Sequence, residues 1–212
     1  MKLKICGMKY EQNILQAASL LPDYLGFIFY SKSKRYFEGP IPKLSKSIKK
    51  VGVFVDESHE TLIECVKKHH LQAVQLHGAE SAEYCAELLQ KLDKLKLKNL
   101  ALIKVFLVGN DFDFNILEKY EPLVNYFLFD TKGIEKGGNG IQFNWQLLDQ
   151  YPSKKPYFLS GGIGLESLAD LKLFLQSPAS KYCWAIDVNS RFETIPGLKV
   201  IDKLKEFKHY LV

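Results

Sequence analysis

Side chains that can move protons or bind anions follow the apolar segments of this sequence. A thiol (Cys6), an imidazole (His77) and two carboxylates (Asp130 and Asp187) each lie at the end of such a segment, and Arg35 lies in a basic loop after the second one. Thiol, imidazole and carboxyl groups can act as general acids or bases. A guanidinium can bind a carboxylate through two parallel hydrogen bonds. Whether these groups act together depends on the elements that carry them.

The apolar segments are short and near-continuous, as is typical of parallel strands that are buried on both faces. We predict eight strands, at residues 3–6, 24–29, 51–55, 73–76, 102–106, 126–130, 157–159 and 184–188.

Stretches with apolar residues at helical spacing lie between the predicted strands, for example from Tyr10 to Leu21. Ser58 and Ser81 lie at the expected N-cap positions of two of these helices. Short helices are predicted at residues 40–50 and 143–151. A strand followed by a helix, repeated eight times, predicts an α/β protein with a single (β/α)₈ barrel. An open doubly wound sheet is the alternative. No linker divides the chain, so we expect one domain over residues 1–212.

In a (β/α)₈ barrel the chemistry lies at the carboxyl ends of the strands. All five side chains named above are therefore expected on one rim. Gly161 and Gly162 follow the seventh strand and precede a helix predicted to begin near Leu165, so their backbone N–H groups suit a phosphate. The loops after strands 7 and 8 are the usual phosphate site of such barrels. Asn189 and Ser190 could add hydrogen-bond donors there.

Composition and charge bound the remaining possibilities. The chain has 212 residues, 47% of them hydrophobic and 25% charged, which is ordinary for a globular protein. No apolar run approaches the ~18 residues that span a bilayer, and the first residues lack a signal-peptide profile, so we expect a cytoplasmic protein with no membrane partner.

The net charge of +5 is spread over scattered lysines, with no aromatic-interleaved basic motif. We therefore expect no nucleic-acid partner.

The cysteines predict neither a disulfide framework nor a metal site. No two of them form a C-x-x-C pair, and no His/Cys cluster has zinc spacing. The four are Cys6, Cys65, Cys85 and Cys183. No cofactor is predicted.

The successive motifs resemble those of phosphoribosylanthranilate isomerases, in order and spacing, over essentially the whole chain. The motifs are Lys4-Ile5-Cys6-Gly7, Gly26-Phe27-Ile28-Phe29, Ser33-Lys34-Arg35-Tyr36, Val53-Phe54-Val55, Gln75-Leu76-His77-Gly78, Leu128-Phe129-Asp130-Thr131 with the glycine-rich stretch at 137–140, Leu159-Ser160-Gly161-Gly162, Asp187-Val188-Asn189-Ser190 and Pro196-Gly197-Leu198-Lys199. Each motif is moderately specific, but the ordered set is strong.

The resemblance implies an Amadori rearrangement in tryptophan biosynthesis, with Asp130 as general acid, Cys6 as general base and Arg35 as a clamp for the anthranilate carboxylate. His77 and Asp187 are implied to line the sugar side of the pocket. The residues implied to hold the phosphate are Gly161, Gly162, Asn189, Ser190 and Arg191, the last standing where the family commonly has glycine.

These roles make demands on two pKa values. An ordinary Asp, with a pKa of about 3.9, is almost fully ionised at pH 7, so Asp130 needs a raised pKa from burial or from a neighbour such as Asp187. An ordinary thiol, with a pKa of about 8.5, is mostly protonated at pH 7. Cys6 therefore needs nearby positive charge or N–H donors that lower its pKa.

Two alternatives stay open. Another phosphosugar barrel, such as indole-glycerol-phosphate synthase or a ribulose-phosphate epimerase, would be expected to use a lysine acid or a pair of aspartates with metal ligands. A non-catalytic phosphate-binding barrel would need only Arg35 and the phosphate loops, and not both Cys6 and Asp130. The expected partner is a small phosphorylated substrate, and the expected oligomeric state is a monomer.

Overall fold

A computed structural model describes residues 1–131 and 143–211 of the chain. In it eight parallel strands form a closed barrel in which each strand pairs with the next and the first pairs with the last. The predicted (β/α)₈ architecture is confirmed. The glycine-rich stretch at 137–140 lies outside the described residues. The strands are β1 (Lys2–Ile5), β2 (Tyr24–Ile28), β3 (Lys49–Phe54), β4 (Ala73–Leu76), β5 (Ala101–Val108), β6 (Tyr126–Thr131), β7 (Tyr157–Leu159) and β8 (Cys183–Val188).

Five α-helices cover the barrel in the described part of the chain: α1 (Glu11–Ser19), α2 (His59–His69), α3 (Ala82–Lys94), α4 (Leu168–Gln176) and α5 (Ile201–Leu211). The two predicted N-caps are confirmed: the Ser58 hydroxyl accepts a hydrogen bond from the Thr61 N–H and the Ser81 hydroxyl accepts one from the Tyr84 N–H, each at 3.2 Å. These bonds satisfy backbone donors that have no partner within the helix.

Not every strand is followed by an α-helix. The segments after β5 and β6 carry short 3₁₀ helices, at Phe114–Leu117 and Trp145–Gln150, and the predicted helix at 143–151 is thus a 3₁₀ turn. Further 3₁₀ turns lie at Leu165–Ser167, Pro178–Tyr182 and Ser190–Phe192.

The predicted helix at residues 40–50 is wrong. The structure describes this segment fully and it contains no helix, and Lys49 and Lys50 already belong to β3. Pro40 and Pro42 lack backbone N–H groups, and a proline disfavours helical geometry at the residue before it. The Lys49 N–H instead donates to the Asp23 carbonyl at 2.9 Å, which starts the pairing of β3 with β2.

Alternate residues of each strand face two different apolar layers, because side chains in a strand point to opposite sides. One set packs between the strands and the helices. The other fills the barrel interior, and it comprises Tyr24, Val51, Ala73, Ile103, Val105, Leu128, Phe158 and Ala185. On β6 and β8 the inward set continues from Leu128 to Asp130 and from Ala185 to Asp187. The same periodicity therefore carries both carboxylates to the mouth of the barrel.

A two-stranded hairpin follows β8 and precedes α5. It pairs β9 (Glu193–Ile195) with β10 (Leu198–Lys199) in antiparallel fashion. Pro196 and Gly197 form its turn, and Gly197 has a φ of 90°, a conformation in which glycine carries no steric cost. The hairpin places Glu193 and Lys199 beside the mouth of the barrel.

Candidate active site

Cys6 directly follows β1 and is buried, with 5% of its surface exposed. Its backbone N–H donates to the Val188 carbonyl at 2.9 Å, which fixes it against β8. On the other side, a β-carbon at position 26 would lie 2.8 Å from the Cys6 Sγ. Gly26 therefore leaves the space that the thiol occupies.

Lys4 lies one inward position below Cys6, inside the barrel. Its Nζ donates to Asp187 Oδ2 at 2.8 Å, and the two side chains are 0% and 4% exposed. The Lys4 ammonium also acts on the Cys6 thiol and favours its ionised form. Burial acts to lower the pKa of Lys4, but Asp187 and Cys6 outweigh burial and hold that pKa above its ordinary value. The ammonium is therefore a fixed positive charge beneath the thiol.

The pKa of Cys6 departs from the expectation drawn from the sequence. Burial raises the pKa of the thiol above its ordinary value, because the charged thiolate loses its hydration. Lys4 opposes this shift, Asp187 adds to it, and Lys199 opposes it more weakly. The positive charge that Cys6 needs is present, but burial outweighs it in the ligand-free protein.

Asp130 lies at the end of β6 on the same rim. Its Oδ1 accepts a hydrogen bond from the Thr131 N–H at 2.9 Å. Burial raises the pKa of Asp130 to about 6, and hydrogen bonds from Thr131 and Ser160 together with the charge of Lys4 oppose the shift. The direction agrees with the demand on a general acid, and burial is the cause.

His77 follows β4 and faces Asp130, with its Nε2 3.6 Å from Asp130 Oδ2. Burial lowers the pKa of His77 to about 4, with Lys4 as a further cause, so the imidazole is neutral at pH 7. The other ring nitrogen, Nδ1, lies 3.0 Å from the Gln75 amide nitrogen. If Gln75 donates to Nδ1, the proton resides on Nε2 and points toward Asp130.

Arg35 is held by a carboxylate. Its Nε lies 3.0 and 2.9 Å from the two oxygens of Glu193, and its Nη2 lies 2.7 Å from Glu193 Oε2. The Ser33 hydroxyl accepts from the Arg35 backbone N–H at 3.1 Å. A β-carbon at position 7 would lie 2.8 Å from Arg35 Cδ and 2.6 Å from Asn189 Oδ1. Gly7 therefore allows the loops after β2 and β8 to meet above β1.

The predicted phosphate residues lie in two loops: Gly161 and Gly162 follow β7, and Asn189, Ser190 and Arg191 follow β8. Gly161 and Gly162 both have positive φ, of 98° and 67°, and a β-carbon at 161 would lie 2.2 Å from Thr131 Oγ1. Arg191 pairs with Glu166 at 3.1 Å, which joins the loops after β7 and β8.

Asn189 lies toward Arg35. Its backbone carbonyl and its Oδ1 accept from Lys199 Nζ at 3.2 and 2.7 Å. Ser190 begins a 3₁₀ turn directly after it. The helix predicted near Leu165 opens with a 3₁₀ turn, and the Gly164 N–H donates to Ser167 Oγ at 3.0 Å. The Gly164 N–H therefore already has a hydrogen-bond acceptor within the turn.

Three charged residues of this site were not predicted from the sequence: Lys4, Glu193 and Lys199. Lys4 could have been found, because it lies two residues before Cys6 in a strand and therefore points the same way. Glu193 and Lys199 lie on a hairpin that the sequence analysis did not predict. Among the described residues, no group of three or more His, Cys, Asp or Glu side chains is arranged to hold a metal ion.

Sequence comparison places this geometry in a known family. The profile of N-(5'phosphoribosyl)anthranilate (PRA) isomerases matches residues 3–209. This chain belongs to the phosphoribosylanthranilate isomerase family. The N-(5'-phosphoribosyl)anthranilate isomerase of Parabacteroides distasonis is 41% identical over 213 residues, which cover 98% of this chain and 91% of that protein.

Solved structures of phosphoribosylanthranilate isomerases share the fold. The enzyme of Thermotoga maritima is 31% identical, with a TM-score of 0.79 over 99% of this chain and 98% of that one. A second such structure is 29% identical, with a TM-score of 0.76 over 98% and 96% of the two chains, and it holds reduced 1-(o-carboxyphenylamino)-1-deoxyribulose 5-phosphate. No helix in the described part of this family member is long and apolar enough to cross a membrane.

Proposed function

We propose that this chain converts N-(5-phospho-β-D-ribosyl)anthranilate into 1-(2-carboxyphenylamino)-1-deoxy-D-ribulose 5-phosphate, with Asp130 as general acid and Cys6 as general base. The observation that carries the proposal is the placement of both groups at the carboxyl ends of barrel strands: Cys6 follows β1 beside the buried Lys4–Asp187 pair, and Asp130 lies at the end of β6 with His77 at 3.6 Å. The substrate class follows from the family and from the phosphorylated ligand of its relative.

The first step opens the furanose ring. Asp130 donates its proton to the ring oxygen while the C1–O bond breaks, and the nitrogen lone pair forms the C1=N bond of an iminium. With a pKa of about 6, a much larger fraction of Asp130 is protonated at pH 7, and so able to donate a proton, than of an ordinary aspartic acid. His77 is neutral at this pH, and its Nε2 lies 3.6 Å from Asp130 Oδ2. From there the imidazole can donate a hydrogen bond to the carboxylate that forms when the proton leaves Asp130.

The second step removes a proton from C2 of the iminium. The Cys6 thiolate takes this proton, the electrons of the C2–H bond form the C1=C2 bond, and the C1=N electrons return to nitrogen. The resulting enolamine then gives the aminoketone by proton transfer from the C2 hydroxyl to C1. Because burial disfavours the thiolate, the Lys4 ammonium and the positive iminium are the charges that favour it.

Arg35 is proposed to bind the anthranilate carboxylate, and Asp187 to line the sugar side of the pocket while it holds Lys4. Gly161, Gly162, Asn189, Ser190 and Arg191 are proposed to hold the phosphate. Phosphate binding at one end and carboxylate binding at the other fix the reacting carbons between acid and base.

The proposal extends to the domain organisation, the oligomeric state and the partners. We propose one catalytic domain over residues 1–212 that acts as a monomer in the cytoplasm, with a small phosphorylated substrate and with neither nucleic acid nor membrane as partner. The scattered lysines and the absence of a spanning helix among the described residues support the last two points. Sedimentation at assay concentration tests the monomer.

The deciding experiment follows the fluorescence of freshly generated phosphoribosylanthranilate with wild type and with Asp130→Asn. Rapid loss with wild type and near-background loss with the folded variant would support the reaction and the acid. No acceleration by folded wild type would contradict the proposal and favour a barrel that binds phosphate without catalysis.

A further inference from the structure

Glu193 contacts Arg35 along only one edge of the guanidinium. The Glu193 oxygens bind Nε and Nη2, at distances of 2.7 to 3.0 Å. A guanidinium has five N–H donors in one plane, so this arrangement uses the Nε side and directs Nη1 and the second Nη2 hydrogen away from Glu193. That remaining edge has the spacing that binds a second carboxylate through two hydrogen bonds.

Glu193 is itself fixed from two other directions. Its Oε1 accepts from the Gly197 N–H at 3.0 Å and from Lys199 Nζ at 2.7 Å. The side chains of Glu193 and Lys199 are 4% and 0% exposed. The position of the Glu193 carboxylate is thus set by the hairpin turn and by a buried lysine, independently of Arg35.

The charges of this cluster leave a net attraction for an anion. Arg35 and Lys199 carry two positive charges, and Glu193 carries one negative charge between them. Without the carboxylate, the two cations would repel each other, and the flexible Arg35 side chain would lose the contact that orients it. With it, one positive charge remains, presented at a fixed edge of Arg35.

We propose that Glu193 is a positioning residue that aims the free edge of Arg35 at the carboxylate of the substrate, with Lys199 as its counter-ion. This inference rests on the proposed function. It assigns recognition of the ortho-carboxylate to an Arg35–Glu193 unit, so a ligand that lacks this carboxylate gains nothing from Glu193.

Two ligands separate this role from a general structural one. The first is reduced 1-(o-carboxyphenylamino)-1-deoxyribulose 5-phosphate, and the second is the same compound with phenyl in place of carboxyphenyl. For Glu193→Gln we expect the Kd of the first ligand to rise about tenfold, and the Kd of the second to stay within about twofold of wild type. In turnover, KM should rise by a similar factor while kcat changes less.

Two further variants complete the test. Glu193→Asp keeps the charge and should recover part of the lost affinity for the carboxylated ligand. Asp93→Asn removes the partner of Lys98 in an exposed ion pair, in which the side chains are 70% and 62% exposed, and should leave both Kd values unchanged. Near-ultraviolet circular dichroism confirms that each variant is folded.

The positioning role would be overturned if folded Glu193→Gln lost affinity for both ligands to the same extent, or lost affinity for neither. If Glu193→Gln does not fold, Glu193→Asp takes its place in the comparison of the two ligands. Failure of the proposed function has a different signature, because wild type would then neither isomerise the substrate nor prefer the carboxylated ligand.

Discussion

Lys4 and Asp187 form a buried ion pair of 2.8 Å across the pairing of β1 with β8, and the Cys6 thiol shares the same ammonium. The two residues are register partners although 183 positions separate them in the sequence. A cation held this firmly inside an apolar barrel affects both stability and chemistry.

Replacing Lys4 by methionine should destabilise the protein. The variant leaves the Asp187 carboxylate buried without its partner, which costs about 3 kcal/mol, and it should also lower kcat/KM because Cys6 loses a positive neighbour. Urea denaturation measures the loss. Lys2→Met on the same strand is the matched control: Lys2 pairs with Asp23 at 3.4 Å in a half-exposed bridge and should cost about 1 kcal/mol or less. Equal losses would contradict the importance of the buried pair.

The pH dependence of kcat/KM should be a bell with an acidic limb near pH 6. In the proposed mechanism, activity requires protonated Asp130, whose pKa is about 6, together with ionised Cys6, whose pKa is raised by burial. Below pH 6 both groups are protonated, and above the pKa of Cys6 both are ionised. Between the two values the active form is a constant minor fraction of the protein.

A thiolate absorbance titration near 240 nm identifies the second group. The difference between wild type and Cys6→Ser should show no Cys6 thiolate at pH 7, because burial raises the pKa of this thiol. A full thiolate signal at pH 7 would contradict this protonation pattern and indicate that Cys6 is ionised before substrate binds.

Cys6→Ser should lower kcat by about a thousandfold and leave the Kd of the reduced product analogue nearly unchanged. A serine hydroxyl keeps the volume of the site but is not ionised at neutral pH. Cys65→Ser, a partly buried thiol on α2, is the control and should retain full turnover. Substantial activity in Cys6→Ser would exclude the thiol as the base.

Gly161→Ala should raise KM about tenfold and reduce kcat, since the new methyl group would displace Thr131, whose N–H binds Asp130. Gly39→Ala is a matched control, because Gly39 has a φ of 88° and no atom within 4 Å of the added carbon. Both variants carry the backbone cost of about 1–2 kcal/mol. Steady-state kinetics should therefore change only for position 161, and equal effects would show that backbone strain alone is responsible.

Much of the fold could be predicted because the strands are continuous apolar segments whose ends mark the site. The eight strands begin and end within two residues of the predicted positions. The helix expected at residues 40–50 was wrong, because its apolar spacing was weak and two prolines interrupt it. Among the described residues, the segments after β5 and β6 carry 3₁₀ turns and no α-helix, so the prediction of eight equal strand–helix units was too regular.

The site was predictable where a residue's position follows from its own strand, as for Cys6, His77, Asp130 and Asp187. It was not predictable where one side chain fixes another from a distant loop. Arg35 and Glu193 are 158 residues apart, and the sequence does not show that they pair. For the same reason the direction of the Cys6 pKa could not be predicted, since it depends on the balance of burial against Lys4 and Lys199.

The Arg35–Glu193–Lys199 cluster has a consequence for protein engineering. (β/α)₈ barrels invite the exchange of single loops between enzymes, because each loop ordinarily leaves its strand and returns without involving the others. Here the loop after β2 and the hairpin after β8 share one buried charge balance. Transplanting the β2 loop alone would leave Arg35 without its carboxylate, and transplanting the hairpin alone would leave the Glu193–Lys199 pair without Arg35. Moving both together, with Gly7 between them, would carry over the whole proposed carboxylate-binding cluster.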